Sequence, residues 1–185
     1  MKTNEVKRII YDFLKEKVFE NYPRYFELME NSYDEIFWGK LKNGSSDKIY
    51  ISLIDKNISK VAKRFEEYNE NGKYYYQKRK RMLVTISVYI TASEDFFSLA
   101  DKLTVDLLEF IEALFTENID TFNYFSQHNI VINELQVSDI RDKSSISAQT
   151  QEFRKEIDIP FEYEEIQEYT PELGCSLDID INIAK

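Results

Sequence analysis

Apolar and polar residues alternate most regularly over Met82, Val84, Ile86, Val88 and Ile90. Arg81, Thr85, Ser87 and Thr91 fall on the opposite side of the same extended chain. Period two of this length predicts a long β-strand that begins near Tyr74. Two other stretches carry helical spacing. Val6, Ile9, Ile10, Phe13, Leu14 and Val18 predict an amphipathic helix over residues 4–20, with Asn4 as its N-cap. Phe96, Ala100, Leu103, Leu107, Phe110, Ile111 and Leu114 predict a second helix, capped by Ser93 and ending near Glu117. Glu94 and Asp95 lie in its first turn, where they complement the macrodipole.

Shorter strands are predicted over residues 48–55, from Ile130 to Val137 and from Phe153 to Tyr163. Residues 57–70 fit either a short helix or a second strand, and Asn71-Gly72 is a hairpin signal. Residues 139–150 are polar and serine-rich, an expected exposed loop. In the tail, Leu177, Ile179, Ile181 and Ile183 alternate with Asp178, Asp180 and Asn182, which predicts an edge strand. Tyr22-Pro23 stops the first helix, and Asn43-Gly44-Ser45-Ser46 marks a turn. Between them, Tyr25, Phe26, Tyr33, Phe37 and Trp38 form an aromatic-rich insertion at about 21–47, expected to fold onto the core or onto a neighbour. The order of elements predicts a single α+β domain over residues 1–185. Its expected form is one mixed, mostly antiparallel sheet with two main helices packed on one face.

Composition sharpens this picture. The 185 residues are 43% hydrophobic and 31% charged, enough for a packed core. With Lys+Arg 24 against Asp+Glu 34, the net charge is −10. That is a poor starting point for generic nucleic-acid binding, which draws most of its affinity from phosphate neutralisation. Thirteen Tyr and thirteen Phe suggest contact surfaces as well as core. The single Cys175 provides neither a disulfide nor a thiolate metal cluster, and a reducing compartment fits best. The start, Met1-Lys2-Thr3-Asn4-Glu5, carries charge where a signal peptide needs an apolar run, so a soluble intracellular product is expected.

The charge is strongly polarised along the chain. Residues 73–81 hold five cations (Lys73, Lys78, Arg79, Lys80, Arg81), no acid, and the run Tyr74-Tyr75-Tyr76. In an extended strand Lys78 and Lys80 point one way, and Arg79 and Arg81 the other. Residues 156–180 hold nine acids and no Lys or Arg. The acidic stretch reads either as a solvated edge that discourages aggregation or as the complement of the basic arm in a head-to-tail contact between subunits. Asp178-Ile179-Asp180 opens like a calcium loop but lacks the later glycine and glutamate, so no metal is expected. His128 is the only histidine and has no ligand-spaced partner. No nucleophile elbow or phosphate-binding glycine loop is present. A non-enzymatic protein without a cofactor is the expectation.

The strand ending Val88-Tyr89-Ile90-Thr91-Ala92-Ser93-Glu94-Asp95 runs straight into a helix. It is followed by Val137-Ser138-Asp139-Ile140-Arg141-Asp142 and then by Glu152-Phe153-Arg154-Lys155-Glu156-Ile157-Asp158-Ile159. This order resembles the neck or tail-terminator proteins of long-tailed phages and related contractile particles, over roughly residues 74–183 and more loosely the first helix. The resemblance implies a subunit of a hexameric ring, resident at the neck of a particle assembled in a bacterial host. Such a ring caps the tail tube, halts tube and sheath polymerisation, and docks a head-completion or collar protein. It further implies that Lys78, Arg79, Lys80, Arg81, Arg141, Asp142, Asp158, Glu162, Asp178 and Asp180 contact neighbouring subunits or the tube. The loop at 139–150 would face the lumen or the next ring. Rival readings are another head–tail connector or a baseplate component, and, less favoured, a nucleic-acid-binding accessory protein or a small-molecule enzyme.

Overall fold

In a computed structural model, the described residues are 1–21, 36–39, 49–60, 66–92, 94–146 and 151–169. Helix α1 spans Thr3–Asn21 and ends just before Tyr22-Pro23. It starts one residue earlier than its expected cap. Lys2 occupies the cap position, its carbonyl accepting from Glu5 N and Val6 N, while the Glu5 carboxylate reaches back to the Lys2 amide at 3.4 Å. Strand β1 (Ile36–Trp38) lies inside the aromatic insertion, and β2 runs Ile49–Lys60. β3 (Glu66–Glu70) and β4 (Lys73–Ala92) form the hairpin. The two readings of residues 57–70 thus resolve to strand wherever those residues are described. At the hairpin turn Asn71 and Gly72 both take positive φ, 55° and 76°, and Asn69 Oδ1 accepts from Gly72 N.

A turn of 3₁₀ helix at Glu94–Phe96 leads into α2 (Phe97–Thr116). The expected capping residue Ser93 lies outside the described residues. A third helix, α3 (Ile119–Gln127), was not expected. Its N-cap is Asn118, whose side chain accepts from the amides of Asp120 and Thr121. β5 covers only Ile130–Ile132, because extending it to Val137 would turn Glu134 to the same side as the buried Ile130 and Ile132. The chain instead makes a 3₁₀ turn at Glu134–Gln136. Within the expected loop at 139–150, β6 (Arg141–Asp142) and β7 (Ser145–Ile146) pair with the last described strand, β8 (Gln151–Tyr169). The expected tail strand at 177–183 lies outside the described residues, as does most of the 21–47 insertion.

The fold is α+β, with a mixed, mostly antiparallel sheet that has eight strands among the described residues. Its path is β1-β2-β4-β8-β5, with β3 beside β4 and β6 and β7 beside β8. Among the described strands, only β1 runs parallel to its neighbour. The spine is the β4–β8 pair, continuous from Ala92↔Gln151 to Tyr74↔Tyr169. Phe153, Ile157, Ile159, Phe161 and Tyr163 of β8 share a face with Met82, Val84, Ile86, Val88 and Ile90, and all are buried. On this face α1, α2 and α3 pack. Phe97 meets Phe153 edge-on at 5.5 Å, Phe115 meets Phe161 at 5.7 Å, and Phe13 of α1 sits between Phe115 and Phe125. Thr3 Oγ1 and Tyr163 Oη lie 2.8 Å apart where α1 begins. Pro160, which cannot donate to the ladder, uses its carbonyl to accept from Asn133 N, at the gap beside the 3₁₀ turn.

Candidate functional site: two arrays of paired charge

Beyond the helical layer the sheet continues as a three-stranded arm. Its parts are β3, residues 73–77 of β4 and residues 165–169 of β8. On one side the basic strand meets acids of its own chain: Glu162, Glu164, Glu165 and Glu168 of β8 lie opposite Arg81, Arg79, Lys78 and Tyr75. On the other, Glu70 of β3 lies opposite Lys73, and Lys60 of β2 lies opposite Lys80. Lys78 and Lys80 share the helix-facing side with Tyr163 and Glu165, and Arg79 and Arg81 share the other with Glu162 and Glu164, as an extended strand requires.

The arm's ion pairs run diagonally across the ladder. Arg79, opposite Glu164, bonds Glu162 at 2.7 Å; Lys80, opposite Tyr163, bonds Glu165 at 2.6 Å; Lys73 bonds Glu168 at 3.1 Å, although Tyr75 is the residue opposite Glu168. Gln77 donates to Glu164 at 2.6 Å. The Glu168 hydrogen bond raises the pKa of Lys73 above its ordinary value. The acidic stretch and the basic arm, two expected edges of a subunit, are thus joined within one molecule. A cavity of about 310 Å³ at the base of the arm is lined by Arg79, Glu162, Tyr163 and Glu164 together with Ser126, Asn129, Ile130 and Val131.

The second array occupies the sheet face turned away from the helices. Here the polar side of β4 is not solvated: Thr85 and Ser87 are fully buried, with Ser52 of β2 beside them. Over them lies a line of alternating charge. Asp158 accepts from Arg141 at 2.8 Å, from Lys56 at 3.1 Å and from Thr85 Oγ1. Glu156 accepts from Arg154 at 2.7 Å and from Ser87 at 2.9 Å. Lys56 reaches Asp158 across β4 because it is the extra residue of a β-bulge in β2, where the register shifts between Asp55 and Asn57. Tyr50 stacks on Tyr89 at 5.5 Å, and the Arg154 guanidinium lies over the Tyr89 ring. Burial pushes up the pKa of the Tyr89 hydroxyl. The Tyr89 hydroxyl, Arg154 Nε and Arg141 Nη2 are buried here without hydrogen-bond partners.

Burial opposes the charged form of Asp158, but the hydrogen bonds from Arg141, Thr85 and Lys56 outweigh it and hold the carboxyl at about 2. Asp142, bonded by Lys155 at 2.6 Å and by the Ser144 amide, is also held at about 2. Lys155 in turn reaches Asp101 of α2, so it ties β6, β8 and a helix together. Ser138 contributes two more links, donating its amide to Asp158 O and accepting from Asp158 N.

The expected contact residues therefore fall into two groups. Lys78, Arg79, Lys80, Arg81 and Glu162 gather at the root of the arm. Arg141, Asp142 and Asp158 gather where the 138–146 segment docks on β8. Asp178 and Asp180 lie outside the described residues. Sequence reasoning missed Lys56, Thr85, Ser87, Arg154 and Glu156. The available signal was the period-two placement of small hydroxyls and charges on one face of β4 and β8. Among the described residues no group of His, Cys, Asp and Glu is arranged to hold a metal ion, and no helix is long and apolar enough to cross a membrane. The chain matches no known protein family, and no characterised relative was found for it.

Proposed function

We propose that this chain is a structural, non-enzymatic particle protein of the tail-terminator kind. In this reading it is the subunit of a ring that caps a tail tube, stops tube and sheath polymerisation and docks a head-completion or collar protein. The observation that carries the reading is the arm: a three-stranded extension of the α+β sheet, with exposed Tyr74 and Ile166 and, among the described residues, no helix packed on β3. An element of this shape adds little to its own domain and much to the reach of a subunit toward its neighbours. The second favourable feature is the docked 138–146 segment, which presents a fixed edge beside β8 for a ring neighbour.

Cis-pairing of the arm changes the expected mode of contact. Its cations answer acids of the same chain, which weakens the case for nucleic acid and for simple charge complementarity between subunits. Contacts through shape, backbone edges and the exposed tyrosine and isoleucine fit better. Electron microscopy of particles made without this gene tests the proposal. Tails of abnormal, unregulated length are expected. Tails of normal length with intact attachment would overturn it, as would native mass measurements showing only monomer under assembly conditions.

A further inference from the structure

We propose that the arm is an ionic latch: a segment held to the domain by cross-strand ion pairs, which screening or a charged partner opens while the core stays folded.

Three observations carry it. First, among the arm's described side chains none is fully buried. Asn69 to Tyr74, Glu164, Ile166, Gln167 and Glu168 are exposed, and Tyr75, Gln77, Lys78 and Glu165 are only half-buried. Second, side-chain pairing there is ionic or charge-assisted in Lys73–Glu168, Gln77–Glu164, Arg79–Glu162 and Lys80–Glu165. Third, these contacts are graded. Lys73 and Glu168 at the tip are 57% and 52% exposed, whereas Lys80 and Glu165 at the root are 19% and 12% exposed. Screening acts most strongly on exposed pairs: the Debye length falls from about 10 Å at 0.1 M salt to about 3 Å at 1 M. The tip pair therefore loosens first and the root pair last. Strands β4 and β8 farther along are joined over Val84–Ile90 by buried apolar packing, which salt strengthens if anything.

Hydrogen exchange on the full chain, at 50 mM and 1 M NaCl at fixed pH, tests the latch. Amides of residues 73–77 and 165–169 should exchange about fivefold faster at high salt, most at the tip, while those of 84–90 do not accelerate. A Lys73→Gln, Glu168→Gln double variant should show the faster tip exchange already at 50 mM, and the swapped Lys73→Glu, Glu168→Lys pair should restore protection. Arm exchange that ignores salt, that changes in parallel with the core, or that is unprotected at 50 mM would overturn the proposal. Equal behaviour of the double variant and the natural chain would overturn it as well.

Discussion

Replacing Asp158 by Asn removes the anion around which the polar face is built. The side chain is 13% exposed and is held by Lys56, Thr85 and Arg141. Its carboxyl titrates at about 2 in the folded protein against an ordinary value of 3.8. That difference corresponds to about 2 kcal/mol favouring the folded state above the unfolded pKa. The sign follows from the depression: the stabilisation is complete above pH 5 and is lost as pH falls through 4 toward 2. Asn retains hydrogen-bonding capacity but leaves Arg141 and Lys56 facing a neutral group. A loss of about 2–3 kcal/mol at pH 7 is therefore expected, less than the full cost of breaking a deeply buried pair. Urea unfolding followed by circular dichroism at pH 7 and pH 3 measures both quantities. The variant should have a lower midpoint at pH 7 and a flatter decline in stability between pH 5 and 3. An unfolding free energy within about 0.5 kcal/mol of the natural chain, together with an unchanged pH slope, would refute the assignment of Asp158 as the anchor.

Other substitutions probe other layers. Phe115→Ala opens a cavity where Phe13, Phe125 and Phe161 converge and should cost about 3–5 kcal/mol in the same assay. Asn118→Ala deletes the cap of α3 and should cost about 1 kcal/mol, with a small loss of helical signal. Gly72→Val forces a β-branched side chain into a left-handed turn. It should destabilise the β3–β4 hairpin by about 1–2 kcal/mol, read as faster amide exchange at residues 66–77 with the core midpoint little changed. Thr85→Val keeps the shape but removes one donor to Asp158, so the folded pKa of Asp158 should rise toward its ordinary value and the decline in stability between pH 5 and 3 should become shallower.

Much of the architecture was legible because it is local. β4 announces itself by alternation over Met82 to Ile90, α2 by its apolar stripe, and the hairpin by Asn71-Gly72. Helix α3 escaped because nine residues show only two buried positions, Thr121 and Phe125. Its signal was the cap Asn118 followed by Asp120. The end of β5 escaped because apolar residues continue to Val137, and only the position of Glu134 relative to Ile130 and Ile132 forbids the strand. The charge pattern was visible but its meaning was not. Whether residues 73–81 and 156–169 meet within one chain or between two depends on the register of strands far apart in sequence. No local periodicity encodes that. The polar face was equally hidden, since serine and threonine in alternation look the same whether water or an arginine lies above them.

The length of the β4–β8 ladder has a kinetic consequence. Its partners are separated by about 60 residues at Ala92–Gln151 and by about 95 at Tyr74–Tyr169, so loop closure is most costly at the arm's tip. Zipping is expected to start at the end nearest the turn into α2, where Phe97 and Phe153 gather apolar surface, and to run outward. The arm is then the last part of the ribbon to form. A newly made chain therefore acquires its projecting element only after its core has consolidated.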